Sequence, residues 1–291
     1  MYEDYEKIKK TINCNFLLEN NNMNNKEIKA YYKINKLAYK IFHSREGFMH
    51  MGISMDGNLK KEDLLYQVDK VGEYIDGAKS VLELGSGQGT NISILAKKYP
   101  EINFKGVDLS PSIKNKPNNV ELISCDYHNM EMFRDNTFDV IYAIETLCHS
   151  TDKKKLFMEI YRVLKKDGVF IVYDGYANKS IENRNIKEKE IMIMIEKGMC
   201  LDRFDFIKDV EKYFEDTKFK IISNIDLSKY VLPNMSDLRK KVAKFLRLGF
   251  LFRGICNILP KKAVGNAVSG YLMYGSTKEG LHVYKEHILK K

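Results

Sequence analysis

The sequence predicts an α/β protein built on a doubly wound, mostly parallel sheet, and three observations lead to this fold class. From residue 81 onwards, short apolar runs alternate with helix-length amphipathic segments, which is typical of parallel strands joined by crossover helices. The first of these runs ends in a glycine-rich turn at 85–89. Right-handed crossovers would cover both faces of the sheet and place a ligand crevice at the carboxyl ends of its strands.

The first 60 residues are predicted to form a helical cap. Residues 1–19 resemble a charged helix, the asparagine-rich stretch 20–25 resembles a linker, and residues 26–46 carry a broad apolar stripe at helical spacing. A loop rich in glycine and methionine follows at 47–52, before another helix at about 60–76.

The predicted sheet occupies a core region over residues 61–175. Helices are expected at 91–99 and 152–166, the second of them ended by Gly168. The predicted strands of this region are 81–84, 102–107, 120–124, 138–144 and 169–173.

The last part of the chain, residues 176–291, is predicted to form a helical lid or substrate region that also completes the sheet. Helices are expected at 180–200 and 203–215, with a strand at 219–224 and a basic helix in a long insertion after it. The apolar pattern at 281–289 fits either a strand or a helix, and the sequence leaves that choice open.

Composition excludes several classes of protein. The 291 residues are 44% hydrophobic and 30% charged, with five prolines, so disordered, collagen-like and fibrous proteins are excluded. The amino-terminal residues lack the order of a secretory signal, and the apolar runs are too short to span a bilayer. Five cysteines without a C-x-x-C pair argue against a disulfide framework or a zinc site. We therefore expect a cytoplasmic protein with no bound metal.

The net charge of +9 is concentrated in one segment, which contains eight Lys and Arg residues and no acidic residue over 238–262. This segment is amphipathic. Three interpretations remain open: a solvated surface helix, a helix on an anionic membrane surface or beside a lipid entrance, and, least favoured, a nucleic-acid contact. We expect no nucleic-acid partner and leave the oligomeric state undecided.

The glycine-rich turn carries the first chemical information. A lone glycine motif is weak, because dinucleotide enzymes use G-x-G-x-x-G at the same place. Here the third glycine is Gly89, and Thr90 stands at the dinucleotide position, where it is expected to cap the following helix. Glu83, inside the preceding strand, is expected to face a polar or cationic group of a ligand.

Acidic residues at two further strand ends make the pattern more specific. Asp108 closes the second strand, where a carboxylate can accept both ribose hydroxyls, and Asp126 follows the third, where it could hold an adenine amino group. Together the landmarks resemble class I S-adenosylmethionine-dependent methyltransferases over residues 79–174. The resemblance implies a seven-stranded Rossmann-like fold, S-adenosylmethionine as cofactor, and a set of cofactor-binding residues. That set is Glu83, Gly85, Ser86, Gly87, Gly89, Asp108, Leu109, Asp126, Tyr127 and Ile144.

The resemblance narrows at residues 142–150, Y-A-I-E-T-L-C-H-S, which are similar to the I-E-A-T-C-H-A-P block of sterol side-chain and related lipid methyltransferases. Residues 30–32 and 48–52 are loosely similar to the aromatic amino-terminal region of that family. The resemblance implies methyl transfer to carbon or oxygen of a small isoprenoid- or lipid-like acceptor. The candidate catalytic residues are Glu145, His149 and Tyr32, and weaker substrate-contact candidates are Tyr31, His50 and Asp174.

Three other functions stay open from the residues alone. The chain could methylate nitrogen or oxygen of a soluble metabolite, act as a nicotinamide dehydrogenase, or bind the cofactor without catalysis. A nucleic-acid base methyltransferase is disfavoured, because the N/D-P-P-Y-type block is absent after the fourth strand. A metal-dependent O-methyltransferase is disfavoured because no convincing set of carboxylate ligands is present.

Overall fold

A computed structural model describes residues 1–19 and 23–291 of the protein. Its strands are β1 (Ser80–Leu84), β2 (Asn103–Asp108), β3 (Val120–Ser124), β4 (Phe138–Ile144), β5 (Leu164–Ala177), β6 (Lys220–Asp226) and β7 (His282–Lys290). Its α-helices are α1 (Tyr2–Thr11), α2 (Asn15–Leu18), α3 (Asn25–Phe42), α4 (Tyr66–Glu73), α5 (Thr90–Lys98), α6 (Lys153–Val163), α7 (Ile186–Gly198), α8 (Ile207–Asp216), α9 (Ser228–Leu246), α10 (Phe250–Ile258) and α11 (Lys261–Lys278).

The strands form a seven-stranded sheet in the order β3-β2-β1-β4-β5-β7-β6. Neighbours among β1 to β5 run parallel, whereas β7 is antiparallel to both β5 and β6. The predicted doubly wound, mostly parallel sheet is confirmed, and the segment at 281–289 is a strand. The strand order reverses between β1 and β4, which is where a ligand crevice is expected in such a sheet.

Helices cover both faces because successive side chains of each strand point to opposite sides. Val81 and Val140 pack on one face beneath α4, α5 and α9. Leu82 and Ile141, the next residues along the same strands, pack on the other face beneath α6 and α8. The central strands are therefore buried on both sides, as their continuous apolar runs require.

A third apolar cluster joins helices from the two ends of the chain, namely α1, α7, α10 and α11. An ion pair of 2.7 Å between Arg239 and Asp4 links α9 to α1. The division of the chain into cap, core and lid stays a prediction, although helices of the first and last segments pack on one another. None of the helices among the described residues combines the length and apolar character needed to span a bilayer.

Several predicted boundaries were wrong. The helix predicted over 1–19 is broken into α1 and α2, and part of the predicted linker, residues 20–22, lies outside the described residues. Asn24, assigned to that linker, instead caps α3 by accepting from two backbone amides. Gly168 does not end α6, since the helix stops at Val163 and β5 begins at once. A Cβ on Gly168 would lie 3.0 Å from the Asp139 carbonyl oxygen, so glycine serves the close pairing of β5 with β4.

Candidate active site

The turn between β1 and α5 adopts a conformation that requires glycine. Gly85 and Gly89 have φ values of +67° and +69°, in the left-handed region that disfavours other residues. A Cβ on Gly85 would also lie 2.0 Å from Thr146 Oγ1. Gly89 occupies the N-cap of α5, so the prediction that Thr90 caps this helix was wrong. The Thr90 hydroxyl instead donates to the Gly47 carbonyl at 3.1 Å.

Asp108 lies beside this turn at the end of β2. Its Oδ2 accepts from the Gly87 amide at 3.0 Å, and its Oδ1 accepts from the Ser110 amide at 2.7 Å. Each carboxylate oxygen has room for a further donor. Ser86, between the glycines, is buried, and its hydroxyl has no hydrogen-bond partner among the described residues.

Asp126 and Tyr127 follow β3 along the same edge of the sheet. The two carboxylate oxygens of Asp126 accept from different elements, Oδ1 from the His128 amide at 3.0 Å and Oδ2 from Asn25 at 2.9 Å. Asn25 is the first residue of α3, so this contact places the amino-terminal helix against the strand ends. The Tyr127 hydroxyl donates to the Thr146 carbonyl at 3.1 Å.

Glu83 is buried below the turn and not exposed to the crevice. It accepts from Asn91 at 3.3 Å, and Asn91 in turn contacts His50 Nε2 at 3.3 Å. Burial raises the pKa of Glu83 to about 8 and lowers the pKa of His50 to about 4. Both shifts favour the neutral form of the side chain, and the predicted contact of Glu83 with a ligand group stays a prediction.

A first cavity of about 510 Å³ lies at these strand ends. Eight of the ten predicted cofactor-binding residues line it, together with Tyr32, His50, Glu145 and His149. Glu83 and Gly89 lie behind the lining, so a direct role for them stays a prediction. The eight residues are Gly85, Ser86, Gly87, Asp108, Leu109, Asp126, Tyr127 and Ile144.

Glu145 occupies the turn directly after β4, with φ of +49°, a strained conformation for this residue type. The Tyr173 carbonyl holds the turn by accepting from the Glu145 amide at 2.8 Å. Glu145 Oε1 accepts from the Met51 amide at 2.6 Å and from the Tyr284 hydroxyl at 2.8 Å. Burial raises the pKa of Glu145 to about 8, which suits a group that gains and loses a proton near neutral pH.

His149 does not contact Glu145, although both residues lie in the segment after β4. Its Nε2 instead shares a hydrogen bond of 2.8 Å with the Tyr32 hydroxyl, and the two rings meet edge to face at 5.6 Å. Burial lowers the pKa of His149 to about 4. The structure therefore brings together a neutral imidazole and a phenol from residues 117 positions apart.

A second cavity of about 560 Å³ adjoins the first. Four residues, Tyr32, Met49, Glu145 and His149, line both cavities. The remaining walls of the second cavity are mainly apolar and come from α3, α9, α10 and α11. Among them are three side chains from the apolar face of the predicted basic helix, which are Leu238, Val242 and Phe245.

The weaker substrate-contact candidates are divided between the cavities. His50 lines the first, whereas Tyr31 and Asp174 line the second. The Tyr31 hydroxyl donates to Asn266 Oδ1 at 2.7 Å, and Asp174 accepts from the Cys148 amide at 3.0 Å. Burial raises the pKa of Asp174 to about 6.

Sequence reasoning missed three residues that position Glu145. Gln67 Nε2 donates to the Met51 carbonyl at 2.7 Å and to the Tyr284 hydroxyl at 3.2 Å, so it fixes both donors that hold Glu145. The glycine- and methionine-rich loop was a signal for Met51. No sequence signal pointed to Tyr284, because it lies 139 positions from Glu145 in a segment that the sequence left as either a strand or a helix.

Comparison with known proteins agrees with this arrangement. Residues 82–172 match the family described as a methyltransferase domain. The chain is 33% identical to a sterol 24-C-methyltransferase of Gibberella zeae over 168 residues, which are 53% of this chain and 42% of that protein. It is 28% identical to a squalene methyltransferase of Botryococcus braunii, with 43% of this chain and 35% of that protein aligned. The aligned regions thus span less than half the length of these relatives.

Solved structures show the same fold over nearly the whole chain. A cyclopropane synthase from Mycobacterium tuberculosis superposes with a TM-score of 0.72 at 15% identity, covering 94% of this chain and 100% of that one. Residues 82–172 therefore belong to a methyltransferase domain, and the resemblance to class I S-adenosylmethionine-dependent methyltransferases predicted from the sequence is confirmed.

Proposed function

We propose that this protein transfers a methyl group from S-adenosylmethionine to carbon or oxygen of a small apolar acceptor of isoprenoid or lipid type. The observation that carries the proposal is the junction of two unlike cavities at Tyr32, Met49, Glu145 and His149. One cavity carries the glycine turn and the strand-end carboxylates, and the other is mainly apolar. Relatives named for sterol and squalene methylation support the same acceptor class.

The residues of the first cavity fit the cofactor. Asp108 has acceptor capacity for ribose hydroxyls, and Asp126 has it for an adenine amino group. The buried Ser86 hydroxyl, which has no partner among the described residues, can bond to a polar ligand group. A Cβ on Gly87 would meet nothing nearer than the Gly85 carbonyl oxygen at 3.9 Å, so the missing side chain there lets a ligand approach the backbone closely. When bound, S-adenosylmethionine supplies an electrophilic methyl group on a sulfonium centre.

Glu145 is proposed as the proton acceptor. An alkene carbon that gains a methyl group leaves positive charge on the acceptor, and a base must then remove a proton. Tyr32 contributes about 1–2 kcal/mol if its ring face contacts that charge away from water. The positive charge that the bound cofactor would bring near Glu145 would lower the pKa of its carboxyl group. The Glu145 proton would then pass to solvent before the transfer, and the carboxylate could accept the proton that the acceptor carbon loses. For a hydroxyl acceptor, Glu145 or His149 removes the proton instead.

The rim of the second cavity is proposed to rest on an anionic membrane surface. Phe250 and Ile258 of α10 are 82% and 88% exposed. The basic segment 238–262 also carries three exposed cations with no ion-pair partner among the described residues, which are Lys244, Arg247 and Arg253. Exposed aromatic and aliphatic side chains beside cations are typical of interfacial helices, and such a surface would deliver a lipophilic acceptor to the cavity.

The experiment that tests the function is calorimetric titration of S-adenosylhomocysteine, with and without a lipid extract, followed by turnover assays. We expect tight binding, strengthened by the extract, and methylation of an isoprenoid or lipid. Turnover of soluble amines or phenols alone would instead favour methylation of nitrogen or oxygen of a soluble metabolite, which the sequence leaves open. Cofactor binding without turnover on any acceptor would indicate a binding protein, and no binding would overturn the proposal.

A further inference from the structure

Two buried polar atoms on the α11–β7 side of the second cavity lack hydrogen-bond partners among the described residues. Thr277 and His282, which flank the turn from α11 to β7, are 6% and 5% exposed. Both residues line the second cavity and not the first. Thr277 Oγ1 and His282 Nε2 have no hydrogen-bond partner among the described residues. Buried polar groups are nearly always bonded, so two such atoms in one cavity wall indicate a missing ligand group.

The hydrogen bonds around His282 define what its free nitrogen can do. The Ser276 hydroxyl donates its one hydrogen to the Met273 carbonyl at 3.0 Å. In this arrangement His282 Nδ1, 2.8 Å from the same hydroxyl oxygen, carries a hydrogen and donates it. Burial, aided by the charge of Arg184, lowers the pKa of His282 to about 3, so the ring is neutral. Its Nε2 is consequently an acceptor, whereas the Thr277 hydroxyl is free to donate.

Two other polar groups of α11 that line this cavity are already bonded. The Ser269 hydroxyl donates to the Ile195 carbonyl at 2.8 Å, and Asn266 Oδ1 accepts from Tyr31 at 2.7 Å. Thr277 and His282 thus supply one free donor and one free acceptor in a mainly apolar cavity. A hydroxyl group satisfies both, since it donates once and accepts as well. A carbonyl or ether oxygen would leave the nitrogen unbonded, and a charged group would be costly to bury.

We infer that Thr277 and His282 bind a hydroxyl group of the apolar acceptor, which makes the acceptor a neutral alcohol. The hydroxyl donates to His282 Nε2 and accepts from Thr277 Oγ1. This inference rests on the proposed function and adds the polar group that orients the acceptor.

The position of this hydroxyl site separates it from the site of methylation. His282 and Tyr284 share one face of β7 because they are two residues apart. Tyr284 bonds to Glu145, and His282 lies about 7 Å further along the strand. The alcohol oxygen bound at His282 is therefore not the atom presented to Glu145.

The test uses the full-length protein saturated with S-adenosylhomocysteine. The neutral fluorophore N-phenyl-1-naphthylamine serves as a probe of the second cavity, and farnesol and its methyl ether are titrated as competitors. The ether keeps the carbon skeleton but cannot donate a hydrogen bond. We expect farnesol to bind about tenfold more tightly, since a site built for a hydroxyl discriminates against an analogue that leaves a buried polar group unbonded.

Two variants and one control complete the test. Thr277→Val, nearly isosteric, and His282→Leu should each reduce the preference for farnesol to below about threefold, because each removes one of the two bonds. Ser269→Ala, on the same helix and cavity wall, should keep the preference because that hydroxyl is bonded within the protein. An unchanged preference in Thr277→Val, or equal binding of alcohol and ether to the parent protein, would overturn the inference alone. Cofactor binding without any binding of the fluorophore, farnesol or ether would overturn the proposed apolar acceptor as well.

Discussion

The two cavities that meet at Glu145 are built in different ways. The first is formed largely by short segments after consecutive strands, with glycines and carboxylates at fixed positions. The second is formed by helices from both ends of the chain, and its walls are mainly apolar. The difference teaches that a fixed cofactor is encoded by a local motif. A variable acceptor needs only a cavity of suitable shape with few polar groups.

The largest expected effect is a loss of stability on substitution in the glycine turn of the first cavity. Gly85→Ala forces a left-handed residue and an overlap with Thr146, whereas Gly57, with φ of +79°, has open space around its Cβ position. We expect Gly85→Ala to lower the free energy of unfolding by about 2–5 kcal/mol. Gly57→Ala should cost about 1 kcal/mol. Urea denaturation of both variants measures the difference, and equal losses would show that crowding at Gly85 is unimportant.

Binding to anionic vesicles should depend on the positively charged side chains at the outer rim of the second cavity and not on the first cavity. Replacing Lys240, Lys244 and Arg247 with Gln should weaken binding to anionic vesicles by about 3 kcal/mol, at about 1 kcal/mol per charge. The control variant removes the same amount of charge elsewhere on the surface, by replacing the exposed α8 and β6 residues Lys208, Lys212 and Lys220 with Gln. Sedimentation with phosphatidylserine-containing vesicles compares the two triple variants. Identical sedimentation would contradict a membrane contact at this rim.

A pair of substitutions tests whether the cavities act separately. Asp108→Ala should weaken S-adenosylhomocysteine binding by about 1.5–3 kcal/mol, because it removes charge-assisted hydrogen bonds. Val242→Phe should instead weaken binding of a long apolar acceptor by about 1.4 kcal/mol, or tenfold, by filling the second cavity. Calorimetry with each ligand measures both variants. Loss of cofactor affinity in Val242→Phe would mean that the cavities are not independent.

The junction itself should show its effect as a dependence of stability on pH. The folded-state pKa of Glu145, about 8, lies above its ordinary value of 4.5. Its neutral form therefore stabilises the fold fully below about pH 4.5, and this contribution is lost as the pH rises through 8. Glu145→Gln mimics the neutral form, so it should lose less stability between pH 5 and 8.

Urea denaturation across this pH range measures the effect. We expect the parent protein to lose more stability than Glu145→Gln between pH 5 and 8, with the exposed Glu62→Gln variant as control. Parallel curves for Glu145→Gln and the parent would show that Glu145 is not held neutral by the fold.

Local pattern in the sequence determined the sheet and most of the first cavity. Val81–Leu84, Gly85–Gly89 and the strand-end residues Asp108 and Asp126 lie within about four positions of the secondary structure that places them, so short-range signals suffice. Helix boundaries were less well predicted, because the left-handed Gly89 and the close pairing of β5 with β4 at Gly168 depend on contacts with distant segments.

The tertiary structure alone decided the junction and the second cavity. Glu145 and His149, close in the sequence, have different partners, and the partners Tyr284 and Tyr32 come from opposite ends of the chain. The free polar atoms of Thr277 and His282 are visible only once burial and neighbouring hydrogen bonds are known. Periodicity reports which face of an element is apolar, but the distant element that packs against that face depends on the whole fold.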